Sequence, residues 1–220
     1  MDYAFDGNPI VAGNLIGSIS GLWHAEAYFE DPSADVSVGQ RGTLSILGTD
    51  RVGTVVDFGR EAGRARARIV AGAGRMDEEL APRDYQGYAA GDIAADCLRE
   101  AGETVGAGWS LLPASCAHWT RARGPCRDAM RRVMRLAGPD THWRAARDGS
   151  IALYVESWPD NSAAVSADAF PWPQERLVQF WPTDGSVEAG QSVTVFGAAR
   201  RFTRVEYRWS TEEVTCRGWY

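Results

Sequence analysis

Alternation of apolar and polar side chains is the dominant pattern in this sequence and predicts a protein built mainly from short β-strands. The clearest strand covers residues 23–30, and Asp31-Pro32-Ser33 ends it. Its apolar face would carry Trp23, Ala25, Ala27 and Phe29, and its polar face His24, Glu26, Tyr28 and Glu30. Three further short strands are predicted at 42–47, 51–58 and 64–71. Short strands separated by turn residues indicate a small antiparallel barrel or sandwich.

The middle of the sequence has a different pattern and predicts an α+β unit. An acidic, proline-containing link at 76–82 precedes a predicted helix at 91–102, which ends in glycine. A second helix is predicted to begin at Gly124-Pro125, to continue to residue 137 and to stop at a Gly-Pro pair. Residues 141–156 then predict a hairpin around Asp148-Gly149, a dipeptide typical of two-residue turns with positive φ.

A short pattern near the C-terminus repeats one near the N-terminus. Gly190-Gln191 precedes an alternating run ending in glycine and then Thr-x-Val-acid-aromatic, and Gly39-Gln40 precedes a similar series. The copies, 40–58 and 191–207, differ by a two-residue insertion. The last third contains the second copy in strands predicted at 177–181, 192–197, 202–209 and 213–219. The repeat predicts two related β-modules around an unlike middle domain, with domains at 1–78, 79–157 and 158–220.

Composition narrows the possible partners. The 220 residues carry a net charge of −6, and all 23 basic residues are arginine, so the average surface repels nucleic acid. No apolar run reaches the length of a membrane span, and the acidic N-terminus lacks an apolar signal core, which predicts a soluble protein folded in the cytosol. The four cysteines lack metal-ligand spacing and are expected to be buried or half-buried thiols, although a disulfide formed outside a cell stays open.

Several candidate chemistries fail on spacing. His24-Ala25-Glu26 with Pro125-Cys126 resembles part of a zinc deaminase pattern, but the second cysteine is absent. Glu26 and Glu30 share a predicted strand face, yet about 13 Å of strand separates them, more than the roughly 5–9.5 Å of glycosidase carboxylate pairs.

Two further patterns are incomplete. Cys116-Ala117-His118 has no orienting acid or oxyanion loop in the sequence around it. Gly72-Ala73-Gly74 and Gly106-Ala107-Gly108 lack the third glycine of a dinucleotide site. We therefore expect no catalytic, cofactor-binding or metal-binding residues.

Scattered motifs in a fixed order resemble the baseplate hub of contractile phage tails, the late control protein D family, which also covers the hub part of type VI secretion spike proteins. The motifs are the aromatic-rich entry and short helix at 85–102, the arginine-rich segment at 121–136, the Trp-Arg…Asp-Gly hairpin at 141–156, and the closing segment from Gly190-Gln191 through 204–207 to 215–217. Tyr207 stands where the family commonly has histidine.

The resemblance implies a fold and a role. The fold would be α+β, mainly β, with two related tube-like antiparallel β-barrel modules flanking a small helix-and-hairpin middle domain. The chain would be a structural, non-enzymatic homotrimer in the tail baseplate of a virion, assembled in the host cytoplasm. Three copies with two modules each would form a pseudo-hexameric ring that joins a hexameric tail tube to a trimeric spike. Tape-measure and wedge proteins are further possible partners.

DNA would pass through such a ring without specific binding, so its inner wall is expected to be acidic or neutral. Two alternatives stay open. One is a tail-tube or tail-completion component of the same machine, and the other is a small baseplate-associated wall-degrading hydrolase.

Overall fold

The fold is mainly β, with two α-helices in the part of the chain that the structure describes. The computed structural model describes residues 3–112, 115–136, 141–155, 170–195 and 197–220. Two compact units are present, one formed by Met1–Ala71 with Trp158–Tyr220 and the other by Gly72–Ser157. Neither helix in the described residues is long and apolar enough to cross a membrane.

Six antiparallel strands close into a barrel in the N-terminal part of the first unit. Around the barrel the order is β1-β4-β5-β6-β3-β2, and β2 returns to β1. The strands are β1 (Tyr3–Phe5), β2 (Asn8–Ser18), β3 (His24–Phe29), β4 (Arg41–Ile46), β5 (Thr49–Glu61) and β6 (Arg64–Ala71). Ala25, Ala27 and Phe29 of β3 are fully buried, which confirms the predicted apolar face.

The N-terminal strand β2 is longer than the sequence pattern indicates. Residues 1–20 contain many turn-forming residues, yet β2 runs for 11 residues and contains Pro9. It stays extended because one edge pairs with β3, while the other pairs with β1 at Asn8 and Pro9 and with Arg204–Trp209 from Gly13 to Ser18. Its pairing with β3 is irregular between Ile10 and Ala12.

The second unit contains both helices and three strand pairs. The strand pairs are β7 (Glu79–Leu80) with β10 (Gly124–Pro125), β8 (Arg83–Ala89) with β9 (Ser115–Arg121), and β11 (Thr141–Ala145) with β12 (Ile151–Val155). Helices α1 (Ala90–Ala101) and α2 (Cys126–Met134) pack against each other through buried side chains. Gly102 ends α1 with φ 86° and donates its N–H to the Arg99 carbonyl, as predicted.

Two predictions for this unit are corrected in detail. Helix α2 ends at Met134, and the predicted stop at Gly138-Pro139 lies outside the described residues. The β11–β12 turn is longer than two residues, because the last strand pair is Ala145 with Ile151. Asp148 has no positive φ; instead its Oδ1 accepts hydrogen bonds from the Ser150 N–H (2.9 Å) and hydroxyl (2.7 Å).

The C-terminal strands return to the first unit and extend its sheet. They are β13 (Phe170–Trp172), β14 (Leu177–Phe180), β15 (Ser192–Val195), β16 (Ala198–Arg201), β17 (Arg204–Trp209) and β18 (Val214–Trp219). From β2 the sheet continues through β17, β18 and β14 to β13, giving ten strands in all, while β15 and β16 pair with each other. Fully buried Val178, Phe202, Tyr207 and Cys216 form the core here.

Candidate functional site

The residues of the deaminase-like pattern lie in two different compact units. His24 and Glu26 are on the polar side of β3, whereas Cys126 begins α2 and is fully buried. The Cys126 thiol lies 3.5 Å from the Cys97 carbonyl oxygen, and burial raises its pKa to about 12. A thiol that stays protonated is a poor metal ligand and a poor nucleophile. No group of three or more metal-binding side chains occurs within the described ranges.

Glu26 belongs to an ion-pair cluster on the sheet surface and is not half of a carboxylate pair with Glu30. Strand β3 ends before Glu30, which is exposed in a bend. An Arg66 guanidinium nitrogen lies 2.6 Å from Glu26 Oε1 and other nitrogens of the same group lie 3.5 Å from Asp57 and Glu61. One arginine therefore binds three carboxylates.

Cys116 and His118 lie on β9, and the structure places an acid near them that the sequence pattern did not reveal. His118 Nε2 is 3.8 Å from Asp84 Oδ1, which is longer than a hydrogen bond. Both side chains are largely exposed, and Asp84 Oδ1 already accepts a hydrogen bond from the Thr120 hydroxyl at 2.7 Å. This geometry does not orient His118 as a general base.

The Gly72-Ala73-Gly74 turn binds a carboxylate from its own unit. Gly72 and Gly74 have φ of 70° and 72°. The backbone N–H groups of Ala73 and Arg75 donate to the buried Glu103 carboxylate at 2.9 and 2.6 Å. A phosphate-binding loop needs free N–H groups, so this turn has a structural role.

The repeated Gly-Gln motif forms a defined loop in its first copy. The Gly39 N–H donates to the Val55 carbonyl (2.8 Å), and the Val55 N–H donates to the Gln40 carbonyl (2.9 Å). Gln40 closes the loop on Ser37, because its N–H donates to the Ser37 carbonyl (3.1 Å) and its side-chain Oε1 accepts from the Ser37 N–H (3.1 Å). Gly39 has φ 87°, a conformation that favours glycine.

The second copy makes the same four hydrogen bonds. The Gly190 N–H donates to the Phe202 carbonyl (2.6 Å), and the Phe202 N–H donates to the Gln191 carbonyl (3.2 Å). The Gln191 N–H donates to the Glu188 carbonyl (3.3 Å), and Gln191 Oε1 accepts from the Glu188 N–H (2.8 Å). Gly190 has φ 90°. The sequence repeat is therefore also a structural repeat.

The structure corrects the alignment of the two copies. The residue bonded to the Gly-Gln pair is Val55 in one copy and Phe202 in the other, so Thr54 and Thr203 are not equivalent. The β4–β5 hairpin has six residue pairs and the β15–β16 hairpin has four, so the copies differ by more than the two residues inferred from the sequence. In each copy the residue that follows is not part of the regular ladder of strand pairs. Val56 follows Val55 and is skipped in the β5–β6 register, and Thr203 follows Phe202 and precedes the first β17–β18 pair.

Strand order repeats along with the loop. In the first set, β2 pairs with β3, β3 with β6, β6 with β5, and β5 with β4. In the second set, β13 pairs with β14, β14 with β18, and β18 with β17, while β15 pairs with β16. The two orders are the same if β13, β14, β18 and β15 correspond to β2, β3, β6 and β4, and if β16 and β17 together correspond to the long strand β5.

A seam between β2 and β17 joins the two sets into one sheet. Six residue pairs connect the strands, from Arg204 opposite Ser18 to Trp209 opposite Gly13. The Trp209 ring covers Gly13 and stacks on Tyr3 with ring centres 5.4 Å apart. The absence of a side chain at Gly13 makes this close approach possible.

The seam lies within a strongly charged sheet surface, here called the polar face. It consists of the side chains of β5 (from Asp57), β6, β3, β2, β17, β18 and β14 that point away from the core. Its described ionised residues are six arginines (Arg64, Arg66, Arg68, Arg204, Arg208 and Arg217) and four carboxylates (Glu26, Asp57, Glu61 and Glu206). Glu206 is buried between Arg208 (2.5 Å) and Arg204 (3.7 Å). Six arginines and four carboxylates give this face a slight excess of positive charge.

Arg51 is a core residue that the strand pattern gave no reason to expect. It is 3% exposed, donates to the Gly185 carbonyl (2.5 Å) and lies 3.7 Å from Glu188. Its guanidinium carbon is 6.0 Å from the centre of the Tyr207 ring, and the Tyr207 hydroxyl donates to the Val187 carbonyl (3.0 Å). Burial raises the pKa of Tyr207 well above its usual value, so the hydroxyl remains a donor. Arg51 thus holds the segment before the second Gly-Gln loop.

The two glutamines are expected to contribute unequally to stability. Gln191→Ala should lower the free energy of unfolding by about 1–3 kcal/mol, because Gln191 is buried and its loss leaves a backbone donor without a partner. Gln40→Ala should cost only about 0.5–1 kcal/mol, because solvent reaches its loop. Urea unfolding would measure both, with the exposed Gln86→Ala as control. Equal losses at the two positions would contradict the view that both glutamines hold the same loop and that burial makes the Gln191 hydrogen bonds more stabilising.

Comparison with known proteins gives structural matches only. No protein-family model matches the sequence, and no curated protein matches it. A protein of E. coli, c3393, described as a type VI secretion component with structural similarity to the T4 bacteriophage tail proteins gp27 and gp5, superposes with a TM-score of 0.72 at 13% identity, covering 99% of this chain and 76% of that one.

Two tail proteins give similar results. The 43 kDa tail protein of prophage MuSo2 from Shewanella oneidensis matches with a TM-score of 0.67 and 10% identity over 95% of this chain and 92% of that one. A tail protein of Neisseria meningitidis MC58 matches with a TM-score of 0.61 and 10% identity over 99% and 96%. The chain therefore shares the fold of phage tail and type VI secretion tail proteins.

Proposed function

We propose that this chain is a structural baseplate hub protein of a contractile tail, a homotrimer that forms a pseudo-hexameric ring between the hexameric tail tube and the trimeric spike. The observation that carries the proposal is the internal repeat: two Gly-Gln loops with the same four hydrogen bonds, set in two strand sets of matching order. A three-fold assembly can match a six-fold one only if each chain supplies two similar but unequal modules. The shared fold with tail proteins adds support.

The proposal assigns a role to each part of the chain. Residues 1–78 and 158–220 are the two tube-like barrel modules, and 79–157 is the middle domain. The first module contains the closed six-stranded barrel, and the described strands of the second continue its sheet from β17 to β13 beside the β15–β16 pair. The protein works without catalysis or cofactor, in the tail baseplate of the virion, after assembly in the host cytoplasm. Its partners are the tail tube protein and the spike, with tape-measure and wedge proteins as further candidates.

The acidic or neutral inner wall stays a prediction, and the polar face weighs against it. If this face lined the ring channel, the wall would carry six arginines and four carboxylates per chain. Ion pairs of Arg66, Arg204 and Arg208 with these carboxylates reduce the positive charge available to DNA. DNA would then pass because the arginines are neutralised by ion pairs with neighbouring carboxylates, and not because a negatively charged wall repels it.

Mass in solution and an image of the particle test the proposal. We expect a trimer that forms a ring with an open channel. A hexamer would favour the alternative of a tail-tube component. A stable monomer that degrades cell wall would overturn the structural role in favour of the hydrolase.

A further inference from the structure

Helix α2 carries a strongly basic surface, here called the α2 surface. It consists of five exposed arginines in and beside the helix, Arg123, Arg127, Arg131, Arg132 and Arg135. The segment 121–136 contains six arginines and one aspartate, although the whole chain has a net charge of −6. Positive charge is therefore concentrated at one place on a protein whose average surface repels anions.

Nearby carboxylates neutralise only part of this surface. Three ion pairs with nitrogen–oxygen distances of 2.8–3.3 Å join Arg123 to Glu79, Arg127 to Asp77, and Arg131 to Asp128. Every side chain in these pairs is at least 46% exposed, so the pairs are weak and can be exchanged for others. Arg132 and Arg135 form no ion pair or hydrogen bond with any described residue. Two positive charges are therefore left over.

A small cleft lies at the start of α2, next to these arginines. Its volume is about 90 Å³, and its lining includes Arg123, Pro125, Asp128, Ala129 and Arg132. A water molecule takes up about 30 Å³ of liquid, so the cleft has room for a carboxylate group. One of its two exposed arginines has no partner, and the other has only an exposed glutamate.

The backbone at the start of α2 is not available to a ligand. The Cys126 N–H donates to the Glu78 carbonyl (3.0 Å), and the Arg127 N–H donates to the Met76 carbonyl (2.9 Å). Arginine side chains are therefore the groups that would bind an anion here. The planar guanidinium offers two parallel donors and so matches the geometry of a carboxylate.

We propose that the α2 surface is the docking site for an acidic segment of a partner protein, with one of its carboxylates bound in the cleft between Arg123 and Arg132. Arg135 is three residues after Arg132 and thus next to it along the helix, where it can pair with a second carboxylate of the same segment. Charge complementarity selects the occupant, because the cations that lack partners are arginines. The inference goes beyond the proposed hub function, which gives the middle domain no partner of its own.

A nucleic acid fits this surface less well than a peptide does. Every nucleotide carries a phosphate, so a bound strand would also meet the carboxylates that lie among the arginines, those of Asp77, Glu79 and Asp128. The described residues that line the cleft include no aromatic ring on which a base could stack. A peptide can place its carboxylates opposite the arginines alone.

Peptide binding to the full chain tests the proposal. The probe is a fluorescein-labelled peptide of six Glu-Ser repeats, followed by fluorescence anisotropy at low and at physiological salt. We expect it to bind and to bind more weakly as salt rises, because the arginines are exposed. A peptide of six Gln-Ser repeats should not bind. Arg123→Gln with Arg132→Gln should weaken binding of the Glu-Ser peptide about tenfold.

A second double variant controls for net charge. Arg41→Gln with Arg99→Gln removes two exposed arginines outside the cleft and should leave the affinity within about twofold. Circular dichroism should show that both double variants keep the fold, since all four side chains are exposed.

Three results would overturn the proposal. Equal losses in the two double variants would mean that binding follows net charge and not the cleft. Tighter binding of a twelve-nucleotide oligo-dT than of the Glu-Ser peptide would make the surface a nucleic-acid site. Absence of peptide binding in a protein with a trimeric mass would remove this docking site and leave the hub proposal standing.

Discussion

Replacing Gly13 by alanine is expected to lower the free energy of unfolding by about 2–3 kcal/mol or to prevent folding. An added Cβ would lie 2.3 Å from the Glu26 carbonyl oxygen and 2.6 Å from Cζ2 of Trp209. These atoms belong to β3 and β17, which flank β2 on opposite sides, so moving β2 away from one strand drives it into the other. A close-packed core has no space to absorb this shift.

Gly17→Ala is the matched control because Gly17 lies on the same strand and on the same face. Its added Cβ would meet only the Trp23 Cβ, at 3.8 Å, which is ordinary van der Waals contact. We expect a change within about 0.5 kcal/mol, or a slight gain from the less flexible unfolded chain. Chemical unfolding followed by tryptophan fluorescence would measure both variants. Equal losses would mean that strand propensity, and not the seam, sets the cost at Gly13.

Local patterns predicted those elements that local chemistry determines. The alternation in β3 and the glycine stop of α1 needed no partner to be recognised, since burial on one face and a left-handed cap are visible in a few residues. The α+β, mainly β class followed from the same patterns. These patterns left a barrel and a sandwich as alternatives, because closure depends on the pairing of β1 with both β2 and β4.

Elements that depend on distant partners could not be predicted. Strands β8 and β9 pair with each other across an insertion that contains α1, and only the complete fold brings them together. The sequence did not predict the long strand β2 because it contains Pro9 and glycines, which usually interrupt strands. Proline is tolerated at irregular strand edges, and Gly13 gives the Trp209 ring room to approach the backbone.

The repeat shows how far a sequence match can be extended. Gly-Gln was informative because a positive φ at the glycine and a side-chain acceptor at the glutamine are both needed for the loop. The match of Thr54 with Thr203 had no such requirement. In the structure Val55 and Phe202 are the equivalent residues, because each bonds to the Gly-Gln pair of its own copy. The two strand sets are therefore aligned most reliably at residues whose backbone conformation or hydrogen bonds the fold requires.

Arg121 is the other position where a substitution should have a large effect. The sequence groups it with the arginine-rich segment at 121–136, but it is the last residue of β9 and is 1% exposed. Its guanidinium donates to the Ala81 carbonyl (2.9 Å), to Glu100 Oε2 (2.5 Å) and to Cys97 Sγ (3.5 Å). These bonds connect β9 to α1 and to the link after β7.

Arg121→Met is expected to lower the free energy of unfolding by about 3 kcal/mol, because it leaves the Ala81 carbonyl without its donor and removes the cation closest to the Glu100 carboxylate. Arg123→Met is the control, since Arg123 pairs with Glu79 at 3.3 Å but both side chains are largely exposed, and such pairs contribute about 0–1 kcal/mol. Denaturant unfolding of the two variants gives the comparison. Adding Glu100→Leu to Arg121→Met should restore part of the loss, because the carboxylate no longer needs a cation. If Arg121→Met were no more destabilising than Arg123→Met, the buried arginine would not be holding β9 to α1.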